Sequence, residues 1–272
     1  MHRRDKRWLA DRLSDSASRA LPVAREGVFV NGDERPALVP LEAVGPVGET
    51  VLLGLDSLGA IFAVAADGDA PPGTRLMGLR DAGAQLSADD AGLLAYATAM
   101  INWHRSHPHC AVCGHITAID EAGFLRRCPN CGAEHHPRTD PVVIMLVHDG
   151  DRVLLGRNAN WPEKRYSALA GFVEPGENLE EAVAREVREE TSIEVDEVVY
   201  RSSQPWPFPA SLMLGFFARY ASGEPTLCDG ELQDARWFER AELESIIRGE
   251  TDYAVPPPLA IARKLIDEWL GF

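Results

Sequence analysis

The chain has 272 residues, 45% of them apolar and 25% charged, ordinary for a globular protein and enough for two or three domains with their own cores. Acidic residues outnumber basic ones 42 to 27, and the formal net charge of −15 argues against a broad electrostatic grip on duplex DNA. No apolar run approaches a membrane span, and "MHRRDKRWLADRLSD" lacks the apolar stretch of a signal peptide, so no membrane partner is expected and the expected compartment is cytoplasmic.

That basic N-terminal segment reads as a solvated helix face. From Leu21 to about Ala66, apolar runs such as "GVFV", "TVLLGL" and "AIFAVAA" are separated by Gly, Pro and Asp turns, the pattern of strands. "SADDAGLLAYATAMINWHRSHP" reads as a helix. Ser87 is placed to N-cap it, acidic residues fill its first turn, Pro108 follows its end, and Leu93, Leu94, Ala97, Met100 and Ile101 form its buried face. Residues 1–106 are thus expected to form an α+β domain, with no catalytic signature.

Residues 107–139 hold Cys110, Cys113, Cys128 and Cys131 in the spacing C-x2-C-x14-C-x2-C, each pair followed by Gly. Two thiolates two residues apart can grip one metal from a tight turn, and the Gly lets backbone N–H groups approach sulfur. Two such turns complete a closed four-thiolate site for one structural Zn2+ per chain, against the alternatives of two disulfides or unliganded thiols. His107, His109, His115, His135 and His136 crowd this segment and read as surface residues. Cys228 stands apart, as a plain apolar residue or a free thiol.

Residues 140–272 form the third expected domain. "PVVIMLV" and "RVLLGR" flank the turn "HDGD", a hairpin signal. A loop, "YSALAGFVEPGE", leads into a helix in which Leu179, Val183 and Val187 recur at i, i+4, i+8. Later strands are expected at "VDEVVYRS", "LMLGFFARY" and "ARWFE", and a last helix at "AIARKLIDEWLGF". Within the helix after the loop, Glu190 falls inside the apolar stripe and Glu186 on its edge, while Glu181, Arg185 and Arg188 point away. Carboxylates turned inward are costly unless something positive meets them. Glu186, Glu189 and Glu190 suit a hard divalent cation, the alternative being an acidic helix paired with its own arginines.

Gly171, Glu177, "REVREE" over 185–190 and Ile193 resemble the Nudix box, G-x5-E-x7-R-E-U-x-E-E-x-G-U, at every specified position but Ser192, where the family has Gly. A left-handed helix end would be strained there by roughly 1 kcal/mol. With the four-cysteine ribbon, "SQPWPFPAS" and "PPPLAIARKLI", the chain resembles the NADH pyrophosphatase (NudC-type) branch of the Nudix hydrolases. The resemblance implies an α+β multidomain chain: the N-terminal α+β domain, a small zinc ribbon, and a C-terminal Nudix α/β/α sandwich with a mixed sheet. It implies metal-dependent hydrolysis of NAD(H) to nicotinamide mononucleotide and AMP, removal of NAD caps from RNA 5′ ends, and a homodimer. Glu186 and Glu190 then correspond to Mg2+ or Mn2+ ligands, with Glu189 assisting, and Glu177 and Arg185 to the pair fastening loop to helix. The Ala170 carbonyl and Glu231 complete the metal set. Gln204, Pro205, Trp206, Pro207, Phe208, Pro209, Ala210 and Ser211 match a substrate-binding array, Phe172 a ring stacking on nicotinamide, and Ala262 a backbone contact. His136 stands where branch members often carry Tyr for a nucleotide contact. Two other readings stay open: a hydrolase of ADP-ribose or another nucleoside diphosphate derivative, and a catalytically idle RNA- or protein-binding ribbon module.

Overall fold

The computed structural model describes residues 2–44, 49–66, 68, 70–228 and 230–272. Two compact units form, Met1–Arg138 with Pro207–Ala210, and Thr139–Trp206 with Ser211–Phe272. Among the described residues no helix is long and apolar enough to cross a membrane.

The first unit opens with α1 (Lys6–Leu13), then strands β1 (Arg19–Val23), β2 (Val28–Asn31), β3 (Val39–Pro40), β4 (Thr50–Leu55), β5 (Ala60–Ala65) and β6 (Thr74–Met77). These form one sheet in the order β4-β5-β1-β2-β6, with β3 also on β1; only β1 and β5 run parallel. Helices α2 (Leu79–Gln85) and α3 (Ala88–Ser106) cover one face. Ser87 caps α3 by accepting from the Asp90 N–H, and Leu94, Ala97, Met100 and Ile101 are buried as their spacing predicts. The other face is covered by Trp8 and Leu9 of α1, Leu41 of a single 3-10 turn (Leu41–Val44), and Ala122. The N-terminal cations are therefore partly engaged rather than simply solvated: the Arg3 guanidinium lies 3.2 Å over the Phe124 ring and Arg4 pairs with Glu121 at 2.8 Å.

A three-stranded sheet follows, β7 (Ala118–Asp120), β8 (Leu125–Arg127) and β9 (Glu134–His135). Its β7–β8 turn is seated on the first sheet. Glu121, Ala122 and Gly123 all have positive φ, and a Cβ on Gly123 would lie 2.8 Å from the Val51 Cα. Buried beside it, His104 of α3 contacts the Gly123 carbonyl at 2.9 Å and Arg126 at 3.0 Å, and Arg126 also donates to the Thr117 hydroxyl.

The second unit repeats the first unit's strand plan. Strands β10 (Asp140–Asp149), β11 (Arg152–Asn158), β12 (Leu169–Phe172), β13 (Glu194–Trp206), β14 (Ser211–Ser222) and β15 (Leu232–Glu239) form the sheet β13-β14-β10-β11-β15, with β12 on β10 and only β10 and β14 parallel. Both faces of β10 are buried, as its unbroken apolar run requires. Val143, Met145 and Val147 face α4 (Leu179–Thr191), while Ile144 and Leu146 face α5 (Arg240–Ile247) and α6 (Ile261–Leu270). The result is an α/β/α sandwich with a mixed sheet. Burial of Val183 and Val187 fastens α4 to it, each contributing about 1.5–3 kcal/mol. Between β3 and β4 of the first unit, where the second carries the 13-residue α4, the described residues form the four-residue turn Leu41–Val44.

Candidate active site

Strand β12 pairs antiparallel with β10, Ala170 opposite Ile144 and Gly171 opposite Val143. The chain then loops back through Gly176, at φ +102°, into α4. Asn178 caps the helix reciprocally with Glu181, an N-x-x-E signal legible in the sequence. Glu177 lies within this return loop. Arg185 donates to its two oxygens at 2.5 and 2.9 Å and to the Phe172 carbonyl at 2.9 Å, while the Glu174 N–H donates to Glu177 at 3.0 Å. Arg185 therefore turns into the loop instead of joining the solvated face expected from its place on the helix. The Arg185 hydrogen bonds, followed by that of the Glu174 N–H, hold the Glu177 carboxyl down to about 2.

The close packing of α4 on β12 explains the glycine that opens the box. A Cβ on Gly171 would sit 1.8–2.0 Å from the Glu186 carboxylate, so only a residue without a side chain leaves Glu186 its place. Burial pushes the Glu186 carboxyl up; Arg185 opposes this, and the nearby charges of Glu189 and Glu231 reinforce it. Glu190 is 4% exposed, inside the helix's buried face as its periodicity requires, and Glu189 is exposed and bound by Arg185 at 2.9 Å. Glu231 is exposed just before β15, its carbonyl accepting from the Asn158 side chain at 3.2 Å. Carboxylate oxygens are the donors a hard divalent cation takes, and Glu189 and Glu231 add negative charge near Glu186; among the described residues only the four cysteines bring three or more ligand atoms within 4.8 Å of one another. Ser192 ends α4 at φ 57°, the left-handed conformation for which the family uses Gly. Cys228 is an exposed free thiol, the second of its two expected readings, and its Sγ lies 2.8 Å from the Ser192 Oγ.

The proline–aromatic stretch begins on an extended edge strand and ends in a turn. Gln204, Pro205 and Trp206 end β13, paired with Met213, Leu212 and Ser211 of β14. Proline is tolerated there because β13 is an edge strand. Pro207, Phe208, Pro209 and Ala210 make the turn, and the Arg80 guanidinium lies 4.3 Å over the Phe208 ring. Gln204 spends both ends of its amide inside the protein, donating to the Leu259 carbonyl and accepting from the Ile261 N–H, each at 2.8 Å. That clamp fixes the start of α6, where Ala262 is buried. Phe172 presents a ring 59% exposed, and His136, just after β9, is also exposed.

In the ribbon, the four cysteine sulfurs lie within 4.8 Å of one another. Cys110–Cys131 and Cys113–Cys128 separations are 3.6 and 3.4 Å. A disulfide requires about 2.05 Å, whereas a tetrahedron with Zn–S bonds of about 2.3 Å has edges of about 3.8 Å. The cluster fits zinc. The His115 N–H, followed by the Asn130 amide, holds the Cys113 thiol down to about 5, as the glycine-opened turns lead one to expect. His135, expected as a surface residue, has Nε2 3.3 Å from the Cys110 Sγ.

Three family models match in series: the NADH pyrophosphatase-like rudimentary NUDIX domain over residues 17–103, the NADH pyrophosphatase zinc ribbon domain over 105–135, and the NUDIX domain over 137–257. The NAD-capped RNA hydrolase NudC of Deinococcus radiodurans is 36% identical over 261 residues, covering 92% of this chain and 90% of that one. The NAD-capped RNA hydrolase NudC of Stutzerimonas stutzeri is 44% identical over 203 residues, 74% of this chain and 69% of that one. Macaca fascicularis NAD-capped RNA hydrolase NUDT12 is 43% identical over 198 residues, and the chain spans only 43% of its length. A rudimentary Nudix domain accounts for the repeated strand plan of the first unit. The chain belongs to the NADH pyrophosphatase family of Nudix hydrolases.

Proposed function

We propose that this protein hydrolyses the pyrophosphate bond of NAD(H) to nicotinamide mononucleotide and AMP, and removes NAD caps from RNA 5′ ends. The observation that carries the reading is the Glu186 carboxylate seated over Gly171, with Glu189 and Glu231 close enough to perturb it. Glu186, Glu190, Glu231 and the Ala170 carbonyl would hold Mg2+ or Mn2+. When bound, a divalent cation neutralises charge that develops on the phosphoryl oxygens. Arg185 locks the loop so that Gly171 and Glu186 keep their mutual position. Glu189, the exposed member of the trio Glu186, Glu189 and Glu190, orients the attacking water and takes its proton. The water oxygen bonds to one phosphorus, the bridging P–O bond breaks, and the second nucleotide leaves as its monophosphate.

Phe172, the Gln204–Ser211 stretch, Ala262 and His136 supply substrate contacts in this reading, and Cys110, Cys113, Cys128 and Cys131 hold a structural zinc. The working boundaries are 1–106, 107–139 and 140–272, in a cytoplasmic homodimer. The test is to incubate the purified protein with NADH, ADP-ribose and NAD-capped RNA, with Mg2+ or Mn2+, and to identify products by mass. Nicotinamide mononucleotide (reduced, from NADH) and AMP are expected from NADH, and a 5′-monophosphate RNA from the capped substrate. Glu190→Gln should lower kcat/KM by more than about tenfold, over 1.4 kcal/mol in the barrier, without loss of fold. Equal turnover of ADP-ribose and NADH would replace the NAD(H) assignment by the broader nucleoside diphosphate one.

A further inference from the structure

Strands β11 and β15 run antiparallel and part where Asn158 and Glu231 meet. The ladder is regular from Arg152 opposite Glu239 to Arg157 opposite Asp234, and then its register shifts so that Asn158 faces Leu232. Beyond that point β11 turns away. The Asn158 carbonyl accepts from the Trp161 N–H at 3.1 Å, and its side-chain oxygen accepts from the Asn160 N–H at 2.9 Å. The same side chain's NH2 donates to the Glu231 carbonyl at 3.2 Å. A single amide therefore does two things: its oxygen fixes the turn, and its nitrogen takes the place of the next ladder donor on the incoming strand.

The held residue is preceded by Gly230, at φ +78°, a conformation glycine adopts without steric cost. The Glu231 side chain is exposed, at the point where β15 parts from β11. Where its carboxylate points depends on where its main chain is pinned.

We propose that Asn158 is a positioning residue for the divalent-cation site, fixing the main chain from which the Glu231 carboxylate projects. The inference rests on the reading of Glu231 as a cation ligand. Three full-length variants test both: Asn158→Ala, Glu231→Gln and the double substitution. Mn2+ binding is read by electron paramagnetic resonance without substrate, and the Mn2+ dependence of NADH hydrolysis alongside it.

Glu231→Gln should weaken Mn2+ binding. Asn158→Ala should weaken it on the order of three- to tenfold, as loss of one ordinary hydrogen bond does, with kcat recovered at saturating Mn2+. The double variant should bind no more weakly than Glu231→Gln alone, because Asn158 acts through that carboxylate. If Glu231→Gln weakens Mn2+ binding and Asn158→Ala does not, the positioning role is wrong. If the two losses multiply in the double variant, Asn158 acts on the fold and not through Glu231. If Glu231→Gln leaves Mn2+ binding unchanged, the ligand reading of Glu231 fails and the role of Asn158 fails with it.

Discussion

Arg185 grips Glu177 with two parallel hydrogen bonds across the return loop that joins β12 to α4, at 2.5 and 2.9 Å. Geometry of this forked kind resists replacement by lysine, which offers a point charge in place of a planar pair of donors. The Glu177 carboxyl is depressed from its ordinary 4.5 to about 2. A depressed carboxyl contributes fully above its ordinary value and is lost as pH falls through the folded one. The clasp should therefore persist at pH 4.5 and open only toward pH 2. Carboxyl carbon NMR of Glu177 should show a midpoint near 2, returning toward 4.5 in Arg185→Lys. A midpoint already near 4.5 in the unaltered protein would mean that the clasp does not form in solution.

Phe172 offers the test of substrate choice. Its ring is exposed beside the loop, and stacking on a flat nicotinamide should be worth about 1 kcal/mol. Phe172→Ala should raise KM for NADH several-fold and leave slow hydrolysis of ADP-ribose unchanged. Equal losses on both substrates would make Phe172 a support for the loop instead.

Removing zinc should be felt in the first sheet as well as in the ribbon. Cys128→Ser breaks a closed thiolate site, whose metal contributes folding energy directly. Ala122 and Gly123 pack on β4 and its neighbours, so hydrogen exchange should accelerate in β4 and β5 more than in β10. A variant that keeps its zinc and its exchange pattern would contradict the assignment.

His104 predicts an acid-sensitive first unit. Burial lowers its pKa from 6.5 to about 4; the Gly123 hydrogen bond opposes the shift and the nearby Arg126 charge adds to it. Above pH 6.5 the imidazole is neutral whether folded or unfolded. Between 6.5 and about 4 only the unfolded chain takes up the proton, so stability falls with pH across that window, by about 3 kcal/mol at full effect. Thermal melts of His104→Asn should be flatter over the same range. An unchanged slope would place the acid sensitivity elsewhere.

The sequence displayed the elements that carry local periodicity or spacing. Helix α4, the inward turn of Glu190, the cap at Ser87 and the four-cysteine cluster all follow from residues close together in the chain. Pairing across the chain left no such trace. The match between β1–β6 and β10–β15 is one of strand order, and no periodicity encodes which strand lies beside which. Gln204 and Asn158 were equally hidden, since each acts on a main-chain atom more than 50 residues away. A helical projection alone points Arg185 to solvent, whereas the box resemblance pairs it with Glu177, as observed: the projection assigns a direction to the backbone, but a long side chain can bend back to a carboxylate.

Strand order alone does not make the two sandwiches interchangeable as scaffolds. Grafting a box helix into the first one, in place of the turn Leu41–Val44, would meet a surface already tenanted by Trp8, Leu9 and Ala122. The transplant would need α1 and the tip of the ribbon cleared away first. Re-arming that half is consequently a problem of eviction before it is one of chemistry, and a catalytic loop supplied without it would have nowhere to dock.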